Sequence, residues 1–240
     1  MQEYADVETA SDGYARRFAG PTGAWLLAAQ ERLVRRAVDR LTTSSSPLAI
    51  PDVGGGHGQL AVPLTEAGHR VTVLASGPQR QPPLDALIAA NRCSFVVGDL
   101  HAFPFPDASF DVVTSVRLLS HMDEWPVLIR ELCRVARHSV IIDYPTEPLF
   151  SRLSPWLFRM KRKLEGNTRS YTLFTDKQIR ATFARHDFSC ADRAGQFFWP
   201  MVIHRVLGSP AMSAVLEAPP AVLGLTGRFG SPVIAELRRR

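Results

Sequence analysis

The stretch Asp52-Val53-Gly54-Gly55-Gly56-His57-Gly58 has the makings of a ligand cradle. Small residues at 54, 56 and 58 let a chain turn sharply and let its backbone amides approach a ligand, with a helix N-terminus close behind. That geometry suits a nucleotide-like cofactor. The dinucleotide fingerprint G-x-G-x-x-G needs a small residue at 59, where helix and strand pack closely, and Gln59 stands there. The spacing is G-x-G-x-G, which opposes a nicotinamide oxidoreductase. At His121 stands a side chain of the type that in general titrates near neutrality, and it can serve as a base, pack structurally or orient a neighbour. Asp143 and Tyr144 end a strand pattern at the edge where doubly wound folds bind ligands, so they are expected to line a substrate pocket. Glu165-Gly166-Asn167-Thr168-Arg169 either closes that pocket, with Arg169 against the substrate, or is a helix-terminating turn at Gly166. No His, Cys, Asp or Glu set has metal-ligand spacing, so no metal is expected.

These residues need a sheet to position them. Short β-branched runs near Leu48 to Val53, Val71 to Leu74, Ser94 to Val97, Val112 to Ser115 and Val140 to Asp143 alternate with helical patterns over Gly58 to Ala67, Leu84 to Asn91 and Trp125 to Arg137. Strict alternation implies an α/β fold, a doubly wound and mostly parallel sheet covered on both faces. Ala24 to Leu41 reads as an N-terminal helix, followed by the polar breaker Thr42 to Pro47. After strand five, Pro145 to Tyr171 carries Leu149, Leu153, Leu157, Met160 and Leu164 at helical spacing, a cap helix whose arginines either face solvent or meet an acidic surface. Asp176 to His186 reads as a helix, Ala194 to Val206 as strand plus turn, and Arg238-Arg239-Arg240 as a frayed, solvated tail. Pro51 is expected at the end of its strand, where proline is tolerated. The chain is treated as one domain: lid 1–46, cofactor-binding core 47–144, cap 145–172, and a C-terminal part of the sheet with the tail, 173–240.

Several stretches agree in order and spacing with one family. The D-x-G-x-G-x-G turn, Val97-Gly98-Asp99-Leu100, the run Phe103 to Val113 (FPFPDASFDVV) and His121-Met122 followed by Leu128 to Val135 resemble the class I S-adenosylmethionine-dependent methyltransferases, in particular the type 11 group that includes quinone-biosynthesis enzymes. The match covers about Ala49 to Asp143. It implies a Rossmann-like, seven-stranded sheet with N-terminal helices and a helical cap after strand five, and S-adenosyl-L-methionine as cofactor. By resemblance, the cofactor contacts would be Asp52, Gly54, Gly55 and Gly56 in the turn, Asp99 and Leu100 at the adenine, Arg117 after strand four, and Tyr14 in an N-terminal segment that folds over the cofactor. His121 then falls beside the cofactor, facing the substrate opening, as the candidate base.

One position departs from the pattern. Relatives carry an acid at the end of strand two that accepts hydrogen bonds from both ribose hydroxyls; here that position is Ala75, followed by Ser76 and Gly77. Losing such an acceptor costs roughly 1.5 to 3 kcal/mol, one to two decades of affinity, unless something replaces it. Ser76 and backbone groups are partial substitutes, and Asp85 reads as a helix-start residue. The glycine-containing turn usual before strand five is replaced by Arg137-His138-Ser139. The resemblance implies methyl transfer to an oxygen or nitrogen of a small-molecule acceptor, a natural-product, quinone or lipid-like intermediate. The alternative is a methyltransferase-like protein without methyl transfer, serving in binding, scaffolding or cyclisation. Phe197-Phe198-Trp199 either lines a pocket for a planar acceptor or belongs to the core.

Bulk properties narrow the setting. The 240 residues are 45% hydrophobic and 21% charged, an ordinary globular composition. The net charge of +5 comes with few interleaved stacking aromatics, so no nucleic-acid partner is expected. Neither a signal peptide nor an apolar run of about 18 residues is visible, which implies a cytoplasmic protein without stable membrane insertion. Cys93, Cys133 and Cys190 are scattered and read as buried thiols. A homodimer is left open.

Overall fold

The computed structural model describes residue 6 and residues 18–42, 47–55, 58–78, 82–147 and 172–240. Among them, seven strands form one sheet in the order β3-β2-β1-β4-β5-β7-β6. β1 (Ala49–Val53), β2 (Arg70–Ala75), β3 (Cys93–Val97), β4 (Phe110–Ser115) and β5 (Ala136–Tyr144) run parallel, while β7 (Val233–Arg239) lies antiparallel between β5 and β6 (Phe188–Gly195). The order reverses between β1 and β4, so a crevice opens beyond the carboxyl ends of those two strands.

Alternation along each strand divides the core between the two faces. Ile50, Val71, Val73, Val112 and Ile141 pack with α1 (Gly20–Leu41), α2 (Ala61–Glu66) and α3 (Pro82–Ala89) through Val34, Val38, Leu64 and Leu84. Val53, Val113, Val140 and Ile142 pack with α4 (Trp125–Val135) and α5 (Asp176–Ala184) through Leu128, Leu132, Ile179 and Phe183. α5 begins with a capping box in which Gln178 N donates to the Thr175 side chain, satisfying an amide the first turn leaves open. Among the described residues no helix is long and apolar enough to cross a membrane.

The structure corrects several expectations. Pro51 is the middle residue of β1, not its end. It pairs with Thr72 of β2, while β1 and β4 share a single register pair, Asp52 with Thr114, and the Thr114 hydroxyl donates to Pro51 O at 3.1 Å. A side chain thus supplies a bond between strands where proline has no N–H to give. Arg137-His138-Ser139 is strand, because β5 starts at Ala136 directly after α4. Within Ala194 to Val206, β6 ends at Gly195, and Met201–Leu207 is helix α6, not strand. It is followed by α7 (Pro210–Val222) and α8 (Leu225–Phe229). The tail is not frayed: Arg238 and Arg239 belong to β7, and Arg239 donates to Cys133 O and Ala136 O and lies over the Phe188 ring. Cys93 and Cys133 are buried, whereas Cys190 is half-buried. The expected cap helix lies almost wholly outside the described residues.

Candidate active site

The glycine turn sits at the crevice. Gly54 adopts φ +78°, and its N–H donates to Leu74 O at 2.8 Å, which ties the turn to the end of β2. A side chain at Gly54 would also press within 3.0 Å of Leu118 Cδ2. Asp52 is buried beneath the turn and accepts from the Thr114 hydroxyl at 3.3 Å. A Cβ on Gly55 would overlap Asp52 Oδ2, so glycine there keeps carboxylate and turn in contact. Burial pushes the Asp52 carboxyl up to about 6, against the opposing pull of the Thr114 bond and the Arg117 charge.

A second buried carboxylate, Asp143, stands near the end of β5. Arg117 N donates to Asp143 Oδ1 at 2.6 Å, and Gln30 Nε2 of α1 donates to Oδ2 at 2.9 Å. Gln59 Nε2 in turn donates to Gln30 Oε1 at 3.2 Å and to Leu27 O at 3.3 Å. Gln59, which the sequence uses only to exclude a dinucleotide turn, therefore joins the glycine loop to α1. Burial raises the Asp143 carboxyl to about 6, opposed by the Arg117 N–H, the Arg117 charge and Gln30. Arg117 has φ +60°, a left-handed conformation unusual for a side-chain-bearing residue, and the short bond to Asp143 helps hold it.

Asp143, Arg117, Gln30 and His121 line one cavity of about 60 Å³, with Phe18, Leu26 and Leu27 from the N-terminal side and Gln196, Phe197 and Met201 from the C-terminal part. His121 ends a single 3₁₀ turn, Leu119–His121, directly beyond β4. Arg117 and Arg205 both stack on the Phe18 ring, at 5.2 and 5.7 Å from its centroid. Tyr144 departs from expectation: successive strand residues face opposite sides, so its hydroxyl turns from the cavity and donates to Asp176 Oδ1 at 3.0 Å. Of the aromatic trio, Phe197 reaches the cavity, while the amides of Phe198 and Trp199 donate to Glu217, a carboxylate paired with the fully buried His204.

At the end of β2, Ala75 is buried and Ser76 holds an acid that the sequence does not bring to notice. Ser76 N donates to Asp6 Oδ2 at 2.6 Å, and the Ser76 hydroxyl donates to Asp6 Oδ1. Asp99 closes a turn by accepting from His101 N at 2.8 Å, and Leu100 is buried with Leu74, Phe103 and Leu118. Asp85 stands exposed in the first turn of α3. Gly56, His57, Tyr14 and Arg169 lie outside the described residues.

The sequence settles the family on this geometry. Residues 51–142 match the type 11 family described as "Methyltransferase domain". Demethylmenaquinone methyltransferase of Roseiflexus castenholzii is 32% identical over 171 residues, covering 65% of this chain and 70% of that relative. The chain belongs to the S-adenosylmethionine-dependent methyltransferases of class I. Among solved structures, magnesium protoporphyrin IX methyltransferase from Synechocystis PCC 6803 with bound S-adenosylhomocysteine aligns with TM-score 0.66 at 18% identity, over 97% of this chain and 96% of that one. The [4+2]-cyclase SpnF aligns at 0.58 and 18% identity over 87% of this chain and 80% of that one, a likeness of fold that leaves chemistry to the site.

The crevice of this methyltransferase fits its cofactor on chemical grounds. S-adenosylmethionine carries a sulfonium and an ammonium, and the crevice has two carboxyls at the ends of β1 and β5 whose ionisation burial makes costly. A bound cation favours the charged form of both. Sequence spacing locates the turn and Asp143; the network of Gln30 and Gln59 has one visible signal, a polar Gln30 inside the apolar stripe Leu26, Ala29, Val34 and Ala37 of α1. Nothing in the spacing points to Asp6.

Proposed function

We propose that this methyltransferase transfers the methyl group to an oxygen or nitrogen of a small, largely apolar acceptor held between α1, the turn after β4 and the loop leading into α6. The carrying observation is that His121 and Asp143, an imidazole and a buried carboxyl raised to about 6, line the same mostly apolar cavity. The cofactor supplies an electrophilic methyl group for in-line displacement; the chain must orient the acceptor, exclude water and remove one proton. His121 is assigned the proton. Asp143 holds Arg117 in its left-handed conformation and fixes Gln30, which keeps the cavity wall and α1 in register.

Asp52, Gly54, Gly55 and Gly56 are assigned to the methionine end of the cofactor, and Asp99 to its adenine side. Phe197 and Phe18 give the cavity flat apolar walls that suit a ring, which agrees with the quinone substrates in the names of the curated relatives and with the porphyrin named in the structural neighbour. A cavity of about 60 Å³ is smaller than the several hundred Å³ usual for such ligands, so Phe18, Leu27 and Met201 must give way when an acceptor enters.

The test is turnover of a panel of hydroquinones, catechols and amines, read by mass spectrometry, for the wild type and His121→Ala. The expected result is methylation of at least one ring hydroxyl or amine, with His121→Ala lowering turnover about 10²-fold and leaving S-adenosylhomocysteine affinity within a factor of three. Unchanged turnover removes His121 as the base.

A further inference from the structure

A helix at a protein surface ordinarily turns its apolar stripe to the core and its charges to solvent. In α7 that order is reversed. Its inward face carries Ser213, Glu217 and Pro220, all buried, and Glu217, the one charged residue of the helix, accepts from the amides of Phe198 and Trp199 and pairs with His204. Its outward face is made by Met212, Ala214, Val215, Ala218, Pro219 and Val222, all exposed and none with a polar side chain.

The residues next to α7 continue the pattern. Val206 near the end of α6 and Leu223 directly after α7 join Met212, Val215 and Val222, at 55% to 87% exposure. Among the described residues seven large apolar side chains stand exposed, and these five all fall within residues 206–223. Apolar groups gathered in this way mark a surface that something covers.

The charges of the segment select the occupant. From Gln196 to Pro232 the charged residues are Arg205, Glu217 and Arg228. Glu217 is buried, so the charge this segment shows to solvent is positive, with Arg228 exposed on α8 and Arg205 half-buried on α6. A second copy of the chain would bring positive charge against positive charge, in a protein whose net charge is already +5. A bilayer with anionic lipid offers an apolar interior and a negative surface together. With 13 residues α7 is about 20 Å long, too short to cross a hydrocarbon core of about 30 Å and well suited to lie flat on it.

We infer that the outward face of α7, with Val206 and Leu223, docks on the surface of a bilayer containing anionic lipid. The helix lies in the plane of the interface, and Arg228 supplies charge toward the headgroups. α6 connects this face to the acceptor cavity: Met201 lines the cavity, and Val206, about 8 Å further along the helix, belongs to the face. A docked protein therefore holds its cavity beside the phase that dissolves an apolar acceptor. The docking rests on the face of α7 alone and stands apart from the assignment of His121 and of the acceptor.

The experiment is flotation of the full chain with two kinds of vesicle, phosphatidylcholine alone and phosphatidylcholine with an equal part of phosphatidylglycerol. The proteins are the wild type, the double variant Val215→Gln/Val222→Gln, and Arg228→Gln. Glutamine keeps a high helix propensity while removing apolar surface, and thermal melts of each protein check the fold. The wild type should float with the mixed vesicles, the double variant should bind them about tenfold more weakly or worse, and Arg228→Gln about fivefold more weakly. A wild type that floats with neither vesicle overturns the inference. So does a double variant that binds like the wild type, because the contact then lies elsewhere. Equal binding of the wild type to both vesicles overturns the role of charge. Sedimentation velocity without lipid covers the remaining occupant: a wild-type dimer that the double variant turns into monomer, with no flotation, gives the face to a second copy and overturns the bilayer.

Discussion

Burial pushes the carboxyls of Asp52 and Asp143 up to about 6 from the ordinary 3.8, so at neutral pH each carries its charge at the expense of the fold. A raised carboxyl adds stability that is fully present below the ordinary value and is lost as pH rises through about 6. Asp143→Asn removes that loss while keeping the shape of the group. At pH 8 the unliganded variant should be more stable than the wild type by about 1 to 3 kcal/mol, and at pH 4 the difference should vanish; thermal melts at the two values check it. The same variant should lose turnover, because Asn holds Arg117 and Gln30 less firmly than a carboxylate does. At Gly55 the constraint is steric. Gly55→Ala places a methyl on Asp52 Oδ2, and displacing that carboxylate should weaken S-adenosylhomocysteine about tenfold or more by calorimetry, with the far-ultraviolet spectrum unchanged. The glycines and Asp143 were legible from their types and positions. Asp6 was not, since a lone acid in an N-terminal stretch carries no pattern that sets it apart from any solvated acid.

The Phe103-to-Val113 run shows how an element can be recognised from sequence without its purpose being visible. Arg134 of α4 donates to Phe103 O at 3.0 Å and Phe105 O at 2.8 Å and pairs with Asp107 and Glu131. Glu131, nearly buried, also accepts from Phe103 N at 2.9 Å. Asp111 accepts from Ala49 N and Arg137, so it fastens β4 to the start of β1. These acids hold a connection and take no part in the crevice. Arg134→Ala strands a buried carboxylate and two carbonyls and should cost about 3 kcal/mol in denaturant unfolding, with cofactor affinity little changed. The alternation of strands and helices was readable because each element keeps its own period across a full face of the sheet. The boundary errors, at Arg137 and at Met201, fell where a polar or mixed run had no period and was drawn into strand or helix by its neighbours.

Across the whole molecule, the last strand in sequence lies in the interior of the sheet. β7 pairs with β5 over Ser139 to Tyr144 and with β6 over Phe188 to Gly195, and Val233, Ala235 and Leu237 enter the core of α4 and α5. Ending the chain after Pro232 should therefore leave β5 with an open edge and β6 without a partner, and no cooperative melt should be measurable. By itself the sequence determined the five parallel strands, the glycine turn after the first of them, and the family, because those depend on local periods and on motifs short enough to lie in one stretch of chain. Tertiary structure alone decided that Asp6 meets Ser76, that Gln59 and Gln30 brace Asp143, that Tyr144 faces away from it, and that Arg238 and Arg239 end a strand in the interior of the sheet with their side chains exposed. Each of those joins residues far apart in sequence or chooses between the two faces of a strand, and no local pattern records which distant group will arrive to satisfy a buried donor or charge.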